Sequence, residues 1–195
     1  TDEMIARYSA INRKYWEALE RGEMTKPRIL VERFREFFSS EGLDPSIAEE
    51  FNSVYQHRLG DTIVFCDDSY SIVEELKGKV LQYAVSNGTV IAQSRKLSRS
   101  GLDRLFDDVF LSEQLGVEKP ASEFFEKVFE KTGDLNKDQV IIVGDSLTSD
   151  MRGGNNAGIR TCWYNPKHLT NNTDVKVDWE ISDLHDIFNI LQYQD

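Results

Sequence analysis

From the first residue to about Gly60, apolar positions recur every three or four residues. Met4, Tyr8, Ile11, Tyr15 and Leu19 line one face of a helix, and Gly22 is placed to stop it. Thr25 and Pro27 open a second helix whose apolar face carries Leu30, Phe34, Phe37 and Phe38, and Gly42 closes it. Asp44-Pro45 starts a third, running to Gly60. Three helices with short links pack as an antiparallel bundle. Beyond Gly60 the period changes, and short apolar runs alternate with helical stretches. Val80–Val85, Val109–Leu111, Val140–Val143, Arg160–Tyr164 and Asp178–Ile181 read as strands. Tyr70–Leu76, Val90–Leu97, a stretch capped by Ser122, a stretch ended by Gly158 and one holding Leu184, Ile187, Phe188 and Leu191 read as helices. This alternation predicts an α/β fold with a doubly wound, mainly parallel sheet over residues 61–195, and a separate helical unit over 1–60. The polar run 166–178 reads as a loop.

Composition narrows the partners. The 195 residues carry a formal net charge of −11, which disfavours nucleic acid, whose phosphates need a basic surface. Hydrophobic residues make up 39 %, enough for a folded core. No apolar run is long enough to span a bilayer and no leader is visible, so the expected location is cytoplasmic, with no membrane partner. Cys66 and Cys162 both fall in apolar, strand-like runs and are expected to be buried free thiols.

Chemistry gathers at the strand ends. Val140–Val143 is apolar throughout and stops at Gly144-Asp145, with Asp150 close behind. Carboxylates at the carboxyl end of a buried parallel strand sit where open α/β sheets bind ligands, and they are the hard oxygen donors that Mg²⁺ prefers. Asp145 and Asp150 are therefore candidate metal ligands, although Asp and Ser in such a place also serve as helix caps. The strand before Ser86-Asn87-Gly88 offers a hydroxyl and backbone N–H groups to an oxyanion, and Lys119, before Pro120, offers a charge to neutralise it. Each alone reads as a turn or as a solvated lysine; their order along a parallel sheet is the signal. His57, His168 and His185 have no ligand spacing. Gly153-Gly154 suits close helix packing. Tyr15 and Trp16 fit a bundle core better than a base-stacking role, and Arg33 could contact a base.

This order resembles the haloacid dehalogenase-like phosphatase superfamily. Its second motif is a strand ending in Ser or Thr, here Ser86. Its third is a Lys, here Lys119 in Gly116-Val117-Glu118-Lys119-Pro120. Its fourth is Gly-Asp with a further Asp, here Asp145 and Asp150. The stretch Gly144–Pro166, with Gly153-Gly154-Asn155-Asn156-Ala157-Gly158 and Cys162-Trp163-Tyr164-Asn165-Pro166, is similar to the pyrimidine 5′-nucleotidase branch. The resemblance implies that residues 1–60 are a helical cap that selects substrates. It implies a Mg²⁺-dependent phosphatase acting on a small phosphorylated substrate, a nucleoside 5′-monophosphate, through an aspartyl-phosphate. Ser86 and Lys119 would be catalytic, Ser86, Asn87 and Lys119 would hold phosphate, and Asp145 and Asp150 would hold metal.

The superfamily's first motif, an apolar strand followed by Asp-x-Asp whose first Asp is the nucleophile, precedes the cap and is absent here. Ile63-Val64-Phe65-Cys66-Asp67-Asp68 has adjacent aspartates after the cap and reads as a turn before Ser69. The resemblance puts the missing strand between those ending at Ser86 and Val143. Residues 1–195 are then expected to belong to a longer protein or to be completed by a second segment. Alone they should fold poorly and lack activity, and the two flanking strands should not pair with each other. The alternatives are a non-catalytic phosphate-binding protein on the same fold and a phosphatase for another phosphorylated metabolite. A carbon–halogen hydrolase is disfavoured, since it needs no metal site. Base, sugar and oligomeric state are not encoded in any pattern read above.

Overall fold

The computed structural model describes residues 1–133 and 135–192. The chain begins with α1 (Asp2–Glu20) and α2 (Lys26–Ser40), then a 3₁₀ turn at Pro45–Ile47 and α3 (Ala48–Asp61). The Thr1 hydroxyl caps α1 by accepting the Met4 N–H, and the Asp44 carboxylate accepts the Ser46 N–H. The third helix thus opens through a 3₁₀ turn. The apolar faces meet in two clusters. Tyr15, Trp16 and Met24 pack on Leu19, Ile29 and Leu30; Tyr8, Phe37 and Tyr55 pack on Phe34, Phe38 and Ala48. Tyr15 and Trp16 are bundle residues, as their spacing predicts. Arg33 is buried, lies over the Phe34 and Tyr55 rings, and donates to Asn12 Oδ1 at 2.7 Å, so its guanidinium serves the bundle.

The remaining elements alternate: α4 (Ser69–Leu76), β1 (Tyr83–Ser86), α5 (Val90–Ser100), β2 (Asp108–Leu111), α6 (Ser112–Leu115), α7 (Ser122–Thr132), β3 (Ile141–Gly144), α8 (Arg152–Ala157), β4 (Arg160–Tyr164), β5 (Trp179–Ile181) and α9 (Ile187–Gln192). Every strand pair among the described residues is parallel. Helices cover both faces of β4, because successive side chains point to opposite sides. Trp163 joins a core with Phe124, Phe125 and Val128 of α7, Ile142 and Met151. Cys162 joins another with Ile72 and Leu76 of α4 and with Ile187 and Ile190 of α9. This is the doubly wound α/β arrangement.

The strands form two sheets, β1-β2 and β3-β4-β5, and β1 and β3 share no ladder. Interior-looking Val143 is accordingly exposed, at 40 %. Glycines set two close approaches. A Cβ on Gly154 would stand 2.7 Å from side-chain carbons of Ile142 and Thr161, so α8 lies directly on the sheet. A Cβ on Gly60 would stand 2.8 Å from Arg95 Cβ, so α3 lies directly on α5, and the Arg95 guanidinium donates to Asp61 there.

Three local expectations change. Ile63–Cys66 forms no strand, and Cys66 is exposed, because this apolar run has no sheet neighbour; Cys162 is buried, and both thiols are free. Val80–Gln82 stay outside β1, with the Gln82 N–H donating to the Asp107 carboxylate instead of a ladder. Ser122 is the first residue of α7 and caps nothing through its side chain. Asp67 and Asp68 form the expected turn, both with positive φ. No described helix is long and apolar enough to cross a membrane.

Candidate active site

The segments leaving β1 and β3 open on one edge, where Asn87 Nδ2 donates to Ser149 Oγ at 3.3 Å. After β1 the chain turns tightly, with Ser86 Oγ accepting the Gly88 N–H at 3.0 Å, and Thr89 caps α5. Asn87 sits in this turn, and its side chain grips the Lys119 peptide from both sides. Its Nδ2 donates to the Lys119 carbonyl at 2.8 Å and its Oδ1 accepts the Lys119 N–H at 2.9 Å. The Lys119-Pro120 peptide is cis.

Lys119 is buried, and its Nζ donates to the Val85 carbonyl at 3.0 Å and to Asp150 Oδ1 at 2.6 Å. After β3, Ser146 Oγ accepts the Ser149 N–H and starts a π-helical turn at Leu147–Met151. That turn swings Asp150 back over Gly144, whose missing Cβ leaves room for the carboxylate, and Oδ2 accepts the Ser146 N–H at 3.2 Å. Asp145 faces solvent. Its carbonyl accepts the Trp163 indole N–H at 3.1 Å, while its carboxylate makes no hydrogen bond or ion pair among the described residues.

Asn87, Lys119, Ser149 and Asp150 are therefore joined through one polar network. Ser86 stands next to it in the turn held by the Gly88 N–H, and Asp145 lies at the mouth of the same strand edge. The fit to a divalent ion is partial. Asp145 offers an unengaged oxygen donor at a strand end, whereas Asp150 is tied to Lys119. Among the described residues no group of three or more His, Cys, Asp or Glu side chains could enclose a cation. Mg²⁺ keeps several waters and takes one or two protein carboxylates, so this pair suits it.

The N-terminal helices reach the same edge. Thr148 Oγ1 donates to Glu20 Oε2 at 2.6 Å. Lys26 is buried, donates to Ser112 Oγ, and stands 3.3 Å from a Glu118 oxygen. Thr89 Oγ1 donates to Gln56 Oε1 at 2.8 Å. Burial holds the Glu20 carboxyl above the usual carboxylate range; the Thr148 bond opposes this, Asp150 and Glu17 add to it, and Lys119 offsets part. The sequence pattern does not reveal Glu20, Lys26, Gln56 or Thr148, since their partners are remote in the chain and unmarked by any motif.

The sequence profile of the haloacid dehalogenase-like hydrolases matches residues 19–164, a span that contains all of these strand-end segments. HAD-hydrolase YfnB of Bacillus subtilis is 33 % identical over 196 residues, covering 100 % of this chain and 82 % of that protein. Pyrimidine 5′-nucleotidase PynA of Streptococcus pneumoniae is 35 % identical over 186 residues, covering 94 % of this chain and 78 % of its own length. Pyrimidine 5′-nucleotidase YjjG of Escherichia coli is 28 % identical over 191 residues, covering 98 % and 84 %. A magnesium-bound crystal structure of YfnB aligns with a TM-score of 0.89 at 32 % identity, covering 98 % of this chain and 83 % of that one. The chain thus belongs to the haloacid dehalogenase-like hydrolase family.

Proposed function

We propose that this chain forms the substrate-binding part of a Mg²⁺-dependent phosphatase that hydrolyses nucleoside 5′-monophosphates, with residues 1–60 as its cap. The observation that carries this reading is the Lys119 ammonium, bonded to Val85 O and Asp150 beside the Ser86-Asn87-Gly88 turn. The similarity to two pyrimidine 5′-nucleotidases supports the substrate class. Ser86 and the backbone N–H of Asn87 hold phosphoryl oxygens, and the Asn87 side chain keeps Lys119 in register with them. Lys119 neutralises charge that develops on the transferring group. Asp145 would ligate the ion and Asp150 would be the second carboxylate of its site, while Asp150 also orients Lys119. When bound, Mg²⁺ supplies further positive charge against the phosphoryl oxygens. The nucleophile is an aspartate contributed by residues outside 1–195, which forms and then releases an aspartyl-phosphate.

The test is phosphate release from nucleoside 5′-monophosphates by the intact protein, stopped by chelator and restored by Mg²⁺. Asp145→Asn should abolish the metal-dependent rate with the fold retained. Lys119→Ala should lower kcat by about two orders of magnitude. Residues 1–195 alone should release none. Phosphate binding by the intact protein without release from any phosphomonoester would point instead to a non-catalytic binding role.

A further inference from the structure

The turn joining α1 to α2 sits between two site segments and is held there at separate points. Glu20 meets Thr148 in the segment after β3, while Lys26 meets Ser112 and Glu118 in the segment before α7. Leu19–Gly22 and Val117–Ala121, with Asn156, line a cavity of about 340 Å³ beside Lys119. The acidic side chains here differ in one respect. Glu17 stands 3.7 Å from Arg21, and Glu118 is paired with Lys26, but Glu20 forms no ion pair with any described residue. Its Oε2 accepts from Thr148, and its Oε1 accepts no hydrogen bond from any described residue. A half-buried carboxylate beside Asp150, with no cation paired to it among the described residues and Lys119 offsetting only part of the cost, is unfavourable unless a ligand uses it. Such a group accepts hydrogen bonds from hydroxyl donors and repels a second anion.

Resting on the phosphatase reading above, we propose that Glu20 determines specificity: its free oxygen accepts hydrogen bonds from hydroxyl groups on the organic part of the phosphomonoester, and its charge rejects substrates with a second anionic group there. A nucleoside 5′-monophosphate, with a neutral, hydroxylated remainder, meets both conditions. A nucleoside 3′,5′-bisphosphate does not.

Glu20→Gln keeps a side-chain oxygen for Thr148 and removes the charge. In the intact protein, kcat/KM is measured for a nucleoside 5′-monophosphate and for the matching 3′,5′-bisphosphate, in wild type and variant. The ratio of the first to the second should fall about tenfold in the variant, with the loss on the monophosphate appearing in KM. A merely structural role would change both substrates by the same factor, and that result overturns the assignment. Wild-type protein that releases phosphate from no ester overturns the phosphatase reading itself, and this inference with it. A working wild type with an unchanged ratio overturns the inference alone.

Discussion

The Lys119 ammonium is bound to one carbonyl and one carboxylate with little water to share the charge. Removing one partner of such a pair strands the other. Asp150→Ala is expected to lower stability by about 3–5 kcal/mol, while joint replacement of Lys119 by Met and Asp150 by Leu should recover much of that loss. Urea denaturation of the three proteins measures both. The two thiols offer a second residue-scale test. Burial, and then Asp186, pushes the Cys162 thiol up to about 12, and Cys66 is exposed. A thiol reagent should therefore modify Cys66 in the folded chain and reach Cys162 only on unfolding. The strand ends at Ser86 and before Asp145 were legible in the sequence because a strand end announces itself by an abrupt change from apolar to polar. The grip of Asn87 on Lys119 was not, since an Asn in a turn looks the same whether or not its amide has a remote partner.

Between elements, α3 and α5 are clamped by the close approach at Gly60 and by Asp61, whose carboxyl the Arg95 hydrogen bond holds below the usual carboxylate range. A carboxyl with a lowered pKa in the folded state adds stability above its unfolded pKa, and that contribution is lost as pH falls through the folded value. The melting temperature of Asp61→Asn should thus trail the wild type at neutral pH. The gap should narrow below about pH 4 and close at lower pH. Gly154→Ala, which forces a methyl against Ile142 and Thr161, is expected to cost about 1–3 kcal/mol in the same kind of experiment. Periodicity located α1, α2 and β4 well, because each has a full apolar face to bury. The strand-like run Ile63–Cys66 wrongly suggested a buried Cys66, because an apolar run becomes a strand only when a neighbour supplies hydrogen bonds. Periodicity also missed the π-helical turn at Leu147–Met151, which the Ser146 side chain starts rather than any hydrophobic repeat.

At a larger scale, the order of strand pairing within residues 1–195 has a bearing on how they reach their fold. Each pairing joins strands that follow one another in sequence: β1 with β2, β3 with β4, β4 with β5. Each can close over a single intervening stretch of chain, so neither half waits on the other for its ladder. The two then meet in a shared core, where Tyr83, Val85 and Phe110 pack with Ile142, Met151 and Trp163, and at its edge, where Asn87 and Lys119 reach across to Ser149 and Asp150. Native-state hydrogen exchange should resolve two cooperative units, one losing protection over 83–111 and the other over 141–181. Asp150→Ala should uncouple them, with amides of each half then opening at separate denaturant concentrations. A contact read first as chemistry is, in the order of assembly, a seam: the polar groups that would hold a phosphoryl group are also those that tell one half of the molecule that the other has formed.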